Sequence, residues 1–362
     1  MVRQGAGEGL SGGVDQLRGH RPANHGGPVY EPRFYERAAQ HHVARLFPGP
    51  VFVNVRWGLH GSLATRHELD ALVVRTRQAV PVEIKAHSLS DADTDEIIAK
   101  YRGIGFRHIV LVVPETSAEA GRRLAESRIP SVELVLFCPD LDAIRDWYRT
   151  WWPQAVPAWA CAALASGRHH VRFVLTRPTE RGRFVIGQQR TRIYSADAVF
   201  RLMGFLPAPP ARILWTPQRF STPRDLIARG SRVTPLGGFV PIDIDGDRLH
   251  QAHHACQISS STAVCPFCTR YSRAECRSLV EALGGTPVDI VASGRRGVHV
   301  YYEDDGDARD RAVTLSRNGA VRLDENVTAS VKSTVALPGS LHAGSMQPVV
   351  SLMNEREVTS YW

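Results

Sequence analysis

The chain has 362 residues, of which 43% are hydrophobic and 22% are charged. At about 150 residues per domain this length predicts two or three domains, and the apolar content excludes wholesale disorder. The net charge of +8 and the excess of Arg over Lys favour a polyanionic partner, although a biased base composition would also raise the Arg content. The longest apolar runs are far shorter than the roughly 18 residues of a membrane span, which argues against a membrane protein.

Hydrophobic periodicity predicts a glycine-rich flexible arm over 1–28 and an α/β domain over 29–150. Apolar residues recur every four positions after Pro32, which predicts a helix, and they alternate from Val51 to Trp57, which predicts a half-buried strand. The predicted order continues with strands 67–74 and 79–86, helix 94–101, strand 108–113, helix 117–127 and strand 132–137. Strands that alternate with helices are typical of an α/β fold.

A segment rich in alanine and interrupted by prolines, 151–168, is predicted to link this domain to a second one over 169–362. The second domain begins with strands 171–175 and 184–186, helix 196–203 and strand 213–215. From Gly238 the pattern is a strand, an insertion rich in Cys and His, helix 273–283, and strands 288–292 and 298–302 joined by a glycine turn. This grouping of elements predicts an α+β architecture.

Two carboxylates, Asp243 and Asp245, lie at positions i and i+2 of a predicted strand, so their side chains share one face. Like charges at this spacing repel unless a divalent cation lies between them, and such a pair is what two-metal phosphoryl transfer requires. The alternative is an acidic strand end that leads into a Gly-Asp turn.

Three later motifs favour the metal interpretation. The segment Ser-Gly-Arg-Arg-Gly-Val-His over 293–299 offers glycines for close backbone approach and Arg, Ser and His donors for phosphate oxygens. A third acid, Asp324, follows in Arg-Leu-Asp-Glu-Asn-Val-Thr over 322–328. The segment Leu-Pro-Gly-Ser-Leu-His over 337–342 then forms another tight turn that ends in a hydrogen-bond donor.

Together these motifs resemble the archaeo-eukaryotic primase superfamily, specifically its catalytic small subunit, over roughly residues 170–350. The resemblance implies a primase-polymerase core whose catalytic acids, Asp243, Asp245 and Asp324, hold Mg²⁺ or Mn²⁺. It further implies that nucleoside triphosphates are bound by Ser293, Arg295, Arg296, His299, Ser340 and His342. The basic residue that this family usually carries two positions before the proline of the last turn is Ala336 here, with Lys332 as a candidate substitute.

Four of the six cysteines lie within 256–276, which predicts a metal site in a reducing compartment and hence a cytoplasmic protein. Cys265-Pro-Phe-Cys268 places two thiolates on one edge of a tetrahedron, and a zinc knuckle is usual at this point of the primase family. The candidate structural Zn²⁺ ligands are His254, Cys256, Cys265 and Cys268, with His250, His253 and Cys276 as alternates. The alternative is a set of ordinary core or surface thiols.

The first half contains a second acidic set. Asp70 lies in one predicted strand, and Glu83 and Lys85 share a face of the next. An acid pair can bind Mg²⁺, and a nearby ammonium can activate water and stabilise a pentacovalent phosphate. With the surrounding order of elements, this set resembles the restriction-endonuclease-like nuclease superfamily over about 31–140. The resemblance implies Mg²⁺ ligation by Asp70 and Glu83, a catalytic Lys85, and supporting roles for Glu36 and Tyr101. The alternative is a degenerate binding domain of the same fold.

These motifs lead to competing functional hypotheses. The first is a DNA-processing enzyme with a primase-polymerase core fused to a metal-dependent nuclease, acting in DNA repair, mobile-element replication or defence. The second is a non-catalytic nucleic-acid-binding protein built on degenerate nuclease and primase folds. A third is a primase-like enzyme whose first domain only positions it on DNA. The enzyme hypotheses imply DNA template or primer-template and nucleoside triphosphates as partners, with a helicase as a further candidate.

Overall fold

The computed structural model describes residues 27–57, 67–75, 78–166, 168–186, 199, 201, 203–221, 234–244, 257–258, 266–293, 297–321 and 323–353. For residues 56, 257–258, 266–273 and 326 only the backbone is described. The predicted arm, apart from its last two residues, therefore lies outside the described residues, as does most of the predicted helix 196–203.

The elements of the first half follow the predicted order closely. They are α1 (Pro32–Leu46), β1 (Val51–Trp57), β2 (His67–Arg75), β3 (Gln78–Ile84), α2 (Asp91–Ile104), β4 (His108–Val113), α3 (Ala118–Glu126) and β5 (Ser131–Leu136). Local signals set the helix ends: the Glu31 carboxylate caps α1 beside Pro32, and Ser90 and Asp93 form a reciprocal capping box on α2. These caps satisfy backbone N–H groups that have no partner within the helix.

The second half begins with short helices and continues with smaller sheets. Its elements are α4 (Leu141–Thr150), α5 (Trp152–Ala155), α6 (Ala158–Ala165), β6 (Val171–Leu175), β7 (Val185–Ile186), β8 (Pro210–Trp215), β9 (Phe239–Ile244), β10 (Gln257–Ile258), α7 (Pro266–Leu283), β11 (Asp289–Ala292), β12 (Val298–Glu303), α8 (Ala308–Arg317), α9 (Glu325–Thr328), β13 (Val335–Ala336), β14 (Leu341–His342) and β15 (Gln347–Pro348).

The five strands of the first half form a mixed sheet with β10 of the second half at one edge, in the order β10-β1-β2-β3-β4-β5. The strands β3, β4 and β5 are parallel, with α2 and α3 as the crossovers, whereas β1, β2 and β3 are antiparallel. The described strands of the second half form a sheet of order β13-β8-β6-β7, a sheet of order β11-β12-β9 and the hairpin β14-β15. The prediction of a mixed α/β fold is confirmed.

One strand pairing was not expected. The short strand β10 lies in the insertion between Cys256 and Cys265, yet it pairs with β1 at the edge of the first sheet, with Val51 opposite Ile258. An edge strand presents unpaired backbone groups, and a two-residue partner contributed by a distant segment satisfies some of them. Sequence periodicity carries no information on such a contact because the pairing segment is only two residues long.

The first sheet is covered on both faces. On one face, Leu69, Ile97, Tyr101 and Leu111 belong to a buried apolar cluster with α2 and α3. On the other face, a large buried cluster starts at α1 and extends through Trp152 and Trp215 to the hairpin β14-β15. This second cluster therefore packs both halves of the chain together.

The segment predicted as a linker, 151–168, supplies part of this shared core. It contains α5 and α6, and Trp152, Ala160 and Leu164 are buried in the cluster that joins the halves. Two side-chain contacts tie this region to later strands. Tyr148 of the preceding helix α4 donates its hydroxyl to Leu341 O of β14 at 3.2 Å, and Trp159 Nε1 donates to Asp289 Oδ2 of β11 at 2.6 Å. No helix in the described part of the chain is both long enough and apolar enough to cross a membrane.

Candidate active sites

The first predicted metal acid of the second half faces a histidine across a strand pair. β9 and β12 are antiparallel, and Asp243 is directly opposite His299. Directly opposite residues project to the same face of a sheet, and His299 Nε2 lies 3.4 Å from Asp243 Oδ1. On the other face of these strands, Ile242, Ile244 and Val300 pack against α7 and α8. The strand alternation therefore separates the polar pair from the apolar side.

The histidine of this pair is buried, with 8% of its side chain exposed. Burial lowers the pKa of His299 to about 4, so the imidazole is neutral at physiological pH. Its Nδ1 atom is buried and has no hydrogen-bond partner in the described part of the chain. A neutral imidazole whose Nε2 carries the proton can donate a hydrogen bond toward Asp243 or toward an oxygen of a ligand in its place.

The third predicted acid is attached to the same strand through the backbone. The N–H group of Asp324 donates to the carbonyl oxygen of Asp243 at 2.8 Å, and the N–H group of Asp243 donates to Thr328 Oγ1 at 3.2 Å. These bonds hold the short helix α9 beside β9. Asp324 is half-buried at this position.

The glycine turn meets the acids at the ends of β9 and β11. Ser293 donates its backbone N–H to Gly297 O at 3.0 Å, and Gly297 donates its N–H to Ser293 Oγ at 3.1 Å. A Cβ atom at Gly297 would lie 3.0 Å from Ile244 O, 3.3 Å from Ser293 Oγ and 3.8 Å from Asp243 Oδ1. A glycine at this position therefore keeps the space between Ile244 O, the serine hydroxyl and the Asp243 carboxylate free of a side chain.

The second predicted turn lies farther toward the first half. Ser340 is connected indirectly to the β11-β12-β9 sheet, which we call the acid sheet because it contains Asp243. The Ser340 carbonyl accepts a hydrogen bond from Val349 N, and the carbonyl of the next residue, Val350, accepts one from Ala292 N of β11. His342 Nε2 lies 2.6 Å from Arg37 Nη1, and its Nδ1 lies 2.6 Å from Ser345 Oγ. Since a guanidinium only donates, Nε2 is the acceptor and Nδ1 carries the proton. These two partners of the imidazole thus lie in α1 and in its own hairpin.

The remaining predicted residues of these motifs lie outside the described residues. They are Asp245, Arg295, Arg296, His254, Cys256 and Cys265, together with the side chain of Cys268. Cys276, an alternate zinc ligand, is 2% exposed within the apolar cluster of α7. Burial raises the pKa of its thiol to about 12, and its role as an alternate zinc ligand stays a prediction.

The first-half acids converge between β2, β3 and α2. Glu83, 5% exposed, accepts hydrogen bonds from Tyr101 at 2.6 Å and from Lys100 at 2.7 Å through Oε2. Lys85 Nζ lies 3.0 Å from the other oxygen, Oε1. Asp70 is held by a backbone bond, because Ile84 N donates to its Oδ2 at 2.7 Å. Acids and lysines from neighbouring elements thus form one site.

The two carboxyl groups of this site have pKa values that are shifted in opposite directions. Burial and the neighbouring charge of Glu83 raise the pKa of Asp70 to about 7. Burial also disfavours ionised Glu83, but hydrogen bonds from Lys100 and Tyr101 and the charge of Lys85 hold its pKa below the ordinary value. Two carboxylates that repel in a buried site are typical of a place where a cation is bound, and the oxygen donors suit Mg²⁺.

Helix α1 adds a residue that the sequence reasoning missed. Gln40 Nε2 donates to Glu36 Oε1 at 3.0 Å and to Asp70 O at 2.9 Å. It thereby connects the predicted supporting acid to the strand that bears Asp70. The available signal was spacing, since Gln40 lies one helical turn after Glu36 on the same face.

Neither site contains a complete metal cage among the described residues, where no group of three His, Cys, Asp or Glu side chains is close enough to hold an ion. In the second half the described oxygen donors are Asp243 and Asp324, and in the first half they are Asp70 and Glu83. Carboxylate oxygens are suited to Mg²⁺ or Mn²⁺, which complete their coordination with water and substrate oxygens. The donor chemistry thus fits these ions in both places.

No protein-family model matches the chain. A search of curated proteins finds no match either. Among solved structures, the chain is similar to the polymerase domain of Mycobacterium tuberculosis Ligase D in complex with DNA, with a TM-score of 0.35 and 13% sequence identity, over 58% of this chain and 79% of that chain.

Proposed function

We propose that the second half is a template-directed nucleotidyltransferase that acts on DNA with nucleoside triphosphates. The observation that carries this proposal is the placement of Asp243, His299 and the Ser293–Gly297 turn at one end of the β11-β12-β9 sheet. The acid can bind a divalent ion, and the neutral imidazole and the hydroxyl can donate hydrogen bonds to phosphate oxygens. The predicted motif order, with Asp245 and Asp324 as further acids, supports the same conclusion.

Each group has a distinct role in this proposal. Asp243 and Asp324, with Asp245, would hold two divalent ions, which when bound neutralise phosphate oxygens and favour an ionised attacking hydroxyl. His299 is neutral because burial lowers its pKa, so it can donate a hydrogen bond to a phosphate oxygen without adding a fixed charge. The Ser293 hydroxyl, which accepts from Gly297 N, keeps its own proton to donate to a second phosphate oxygen. Arg295 and Arg296 are proposed to bind the remaining phosphate charge.

A second activity is favoured by the first-half site. We infer that Asp70, Glu83 and Lys85 form a metal-dependent DNA nuclease, with Glu36 and Tyr101 in support. The specific observation is that both oxygens of buried Glu83 are engaged by Lys85, Lys100 and Tyr101 while the nearby Asp70 carboxyl has its pKa raised to about 7. Lys85 lies where an ammonium can orient water or stabilise negative charge on a phosphate.

The proposal includes four further features that the sequence predicts. These are a structural Zn²⁺ at His254, Cys256, Cys265 and Cys268, a helicase partner, a cytoplasmic location and a domain organisation with a nuclease-like first half. The competing function is a non-catalytic nucleic-acid-binding protein. This function predicts that neither acid set supports catalysis and that the chain still binds DNA.

The experiment that tests the proposal is nucleotide incorporation. Purified full-length protein is incubated with labelled deoxyribonucleoside or ribonucleoside triphosphates on a primed and on an unprimed template, with Mg²⁺ or Mn²⁺ or with chelator. We expect template-dependent products that require the metal. Absence of products under all of these conditions, with DNA binding retained, would favour the non-catalytic function.

A further inference from the structure

Two arginines occupy one face of the sheet that neighbours the acid sheet. In the antiparallel pair β6–β8, Arg172 is opposite Leu214 and Val174 is opposite Arg212. Arg172 and Arg212 are therefore diagonal neighbours on the same face, at about 7–8 Å between Cα atoms. The opposite face of these strands, with Phe173, Ile213 and Trp215, is buried in the shared core. The arginines thus lie on the side of the sheet that faces away from this core.

Arg172 and Arg212 are both half-buried. Burial alone lowers the pKa of Arg172, and its Nε atom is buried without a hydrogen-bond partner. Burial also lowers the pKa of Arg212, where the favourable charge of Glu31 is opposed by that of Arg33. Among the described residues, no carboxylate lies within ion-pair distance of either guanidinium. A buried charge without a partner destabilises a fold, so a ligand that neutralises it would be bound favourably.

The same positive surface continues onto the first half. Backbone bonds from Glu31 N to Thr176 O and from Thr176 N to Pro209 O tie three segments together. These segments place the exposed Arg33 where its charge acts on Arg212, and the exposed Arg177 directly follows Thr176 in the chain. Arg177 is itself fixed over the Tyr30 ring, with its guanidinium 5.0 Å from the centroid and Nη2 3.0 Å from the hydroxyl. We call the four residues Arg33, Arg172, Arg177 and Arg212 the arginine face.

We propose that the arginine face binds the phosphate backbone of single-stranded nucleic acid. The inference rests on the proposed function, for which it assigns a surface that holds the template strand outside the catalytic acids. Guanidinium groups pair bidentately with phosphate, and the excess of positive charge on this face suits a polyanion. The two sheet arginines are recessed, so a flexible single strand can lay its phosphates against them, whereas a rigid duplex reaches mainly the exposed Arg33 and Arg177.

Binding of a labelled 20-nucleotide deoxythymidine strand, followed by fluorescence anisotropy over a range of salt concentrations, tests this proposal. The variants are Arg172→Gln, Arg212→Gln and the double variant. Arg149→Gln on exposed α4 removes a charge elsewhere and serves as the matched control for the single variants. We expect the double variant to bind about tenfold more weakly and its salt slope to decrease by about 0.7 for each phosphate that is no longer neutralised. Arg172→Lys should retain most of the slope because it keeps the charge.

A structural role for these arginines predicts a different result. Removal of an unneutralised buried charge should leave the thermal midpoint unchanged or higher, whereas removal of a structural hydrogen bond should lower it. A double variant that binds the strand with the affinity and salt slope of Arg149→Gln overturns the proposal. So does equal displacement of the strand by polyglutamate at matched charge, because this would identify an acidic protein as the partner.

The incorporation assay separates this proposal from the proposed function. If the wild type incorporates nucleotides and the double variant binds the strand like the wild type, the arginine face is wrong and the nucleotidyltransferase stands. If the wild type incorporates nothing but the double variant loses strand binding, the arginine face stands and the proposed catalysis is wrong.

Discussion

Asp243 and His299 face each other across the strand pair β9–β12, with 3.4 Å between Oδ1 and Nε2. The contact places a carboxylate next to an imidazole that burial keeps neutral. A charged imidazolium here would form an ion pair with Asp243 and compete with a cation for its oxygens, whereas a neutral one leaves the carboxylate charge available. The pair is therefore compatible with metal binding. This compatibility comes from the burial of His299 and does not follow from the two residue types alone.

The approach of the glycine turn to this pair can be tested by adding one methyl group. Gly297→Ala places a Cβ atom 3.0 Å from Ile244 O and 3.3 Å from Ser293 Oγ, so the turn and these neighbours must move slightly apart. We expect a loss of about 1–3 kcal/mol of stability and a roughly hundredfold loss of nucleotide incorporation. Gly103→Ala in α2 is the matched control, because its Cβ would meet no atom within 4 Å. Unchanged incorporation by Gly297→Ala would show that the turn is not part of the site.

The nuclease site is tested most selectively through its lysine. Lys85→Ala removes the ammonium that lies 3.0 Å from Glu83 Oε1, while Lys100 and Tyr101 still hold the other oxygen of Glu83. We expect metal-dependent cleavage of single-stranded, flapped or duplex DNA to fall at least about a hundredfold. Nucleotide incorporation should stay at the wild-type rate, because the residues proposed for it lie on other sheets.

The control for this comparison is Arg149→Ala, which removes one positive charge from an exposed helix position. It should cleave and incorporate like the wild type. If Lys85→Ala cleaves as fast as this control, Lys85 has no catalytic role. If the wild type itself cleaves none of these substrates, the first half is a degenerate binding domain.

A buried histidine away from both sites makes stability depend on pH. Burial lowers the pKa of His169 to about 4, from an ordinary value near 6.5, although Nδ1 contacts Thr216 O at 3.1 Å. Between these values the unfolded chain binds more protons than the folded one, so stability is complete above pH 6.5 and decreases as the pH falls toward 4. The total contribution is of the order of 3 kcal/mol.

Urea unfolding at pH 7, 5.5 and 4.5 measures this dependence. His169→Gln should lower stability at pH 7 but reduce the further loss between pH 7 and 4.5, whereas His67→Gln, at an exposed position, should follow the wild type. An identical pH slope in the wild type and His169→Gln would contradict the assignment of this proton to His169.

The predicted zinc ligands lie outside the described part of the chain. The prediction is tested by measuring the zinc content of the purified protein. The protein purified without chelator should contain about one equivalent of zinc. Cys265→Ser with Cys268→Ser should remove it, whereas Cys161→Ser, a half-buried thiol of α6, should not. Folded wild-type protein that contains no zinc would exclude the knuckle.

Sequence periodicity was sufficient for most of the fold because each element has a local cause. The alternation in β1 and the buried run of β4 depend on side-chain burial, and the start of α2 depends on the Ser90 cap. Strand order and packing depend instead on distant contacts. The pairing of β10 with β1 and the burial of Trp152 between the halves therefore had no local signal.

In the candidate sites, too, some features follow from local sequence spacing and others depend on distant contacts. The i, i+2 rule places Glu83 and Lys85 on one face, and the structure brings Nζ of Lys85 within 3.0 Å of Glu83. The role of Gln40 and the contact between His342 and Arg37 required the packing of α1, which sequence spacing does not reveal. Likewise, the diagonal placement of Arg172 and Arg212 depends on the register between β6 and β8.

The central claim is that Asp243 and its neighbouring acids catalyse nucleotide transfer. The most direct measurement is the rate of nucleotide incorporation on a primed template by the wild type, Asp243→Asn and Asp324→Asn. Asp310→Asn, an exposed acid of α8, is the control with the same change of charge. We predict that the Asp243 variant loses at least about a thousandfold in rate, because the remaining acids cannot hold both ions, and that the Asp310 variant keeps the wild-type rate. Incorporation by Asp243→Asn at the rate of the wild type would contradict the account.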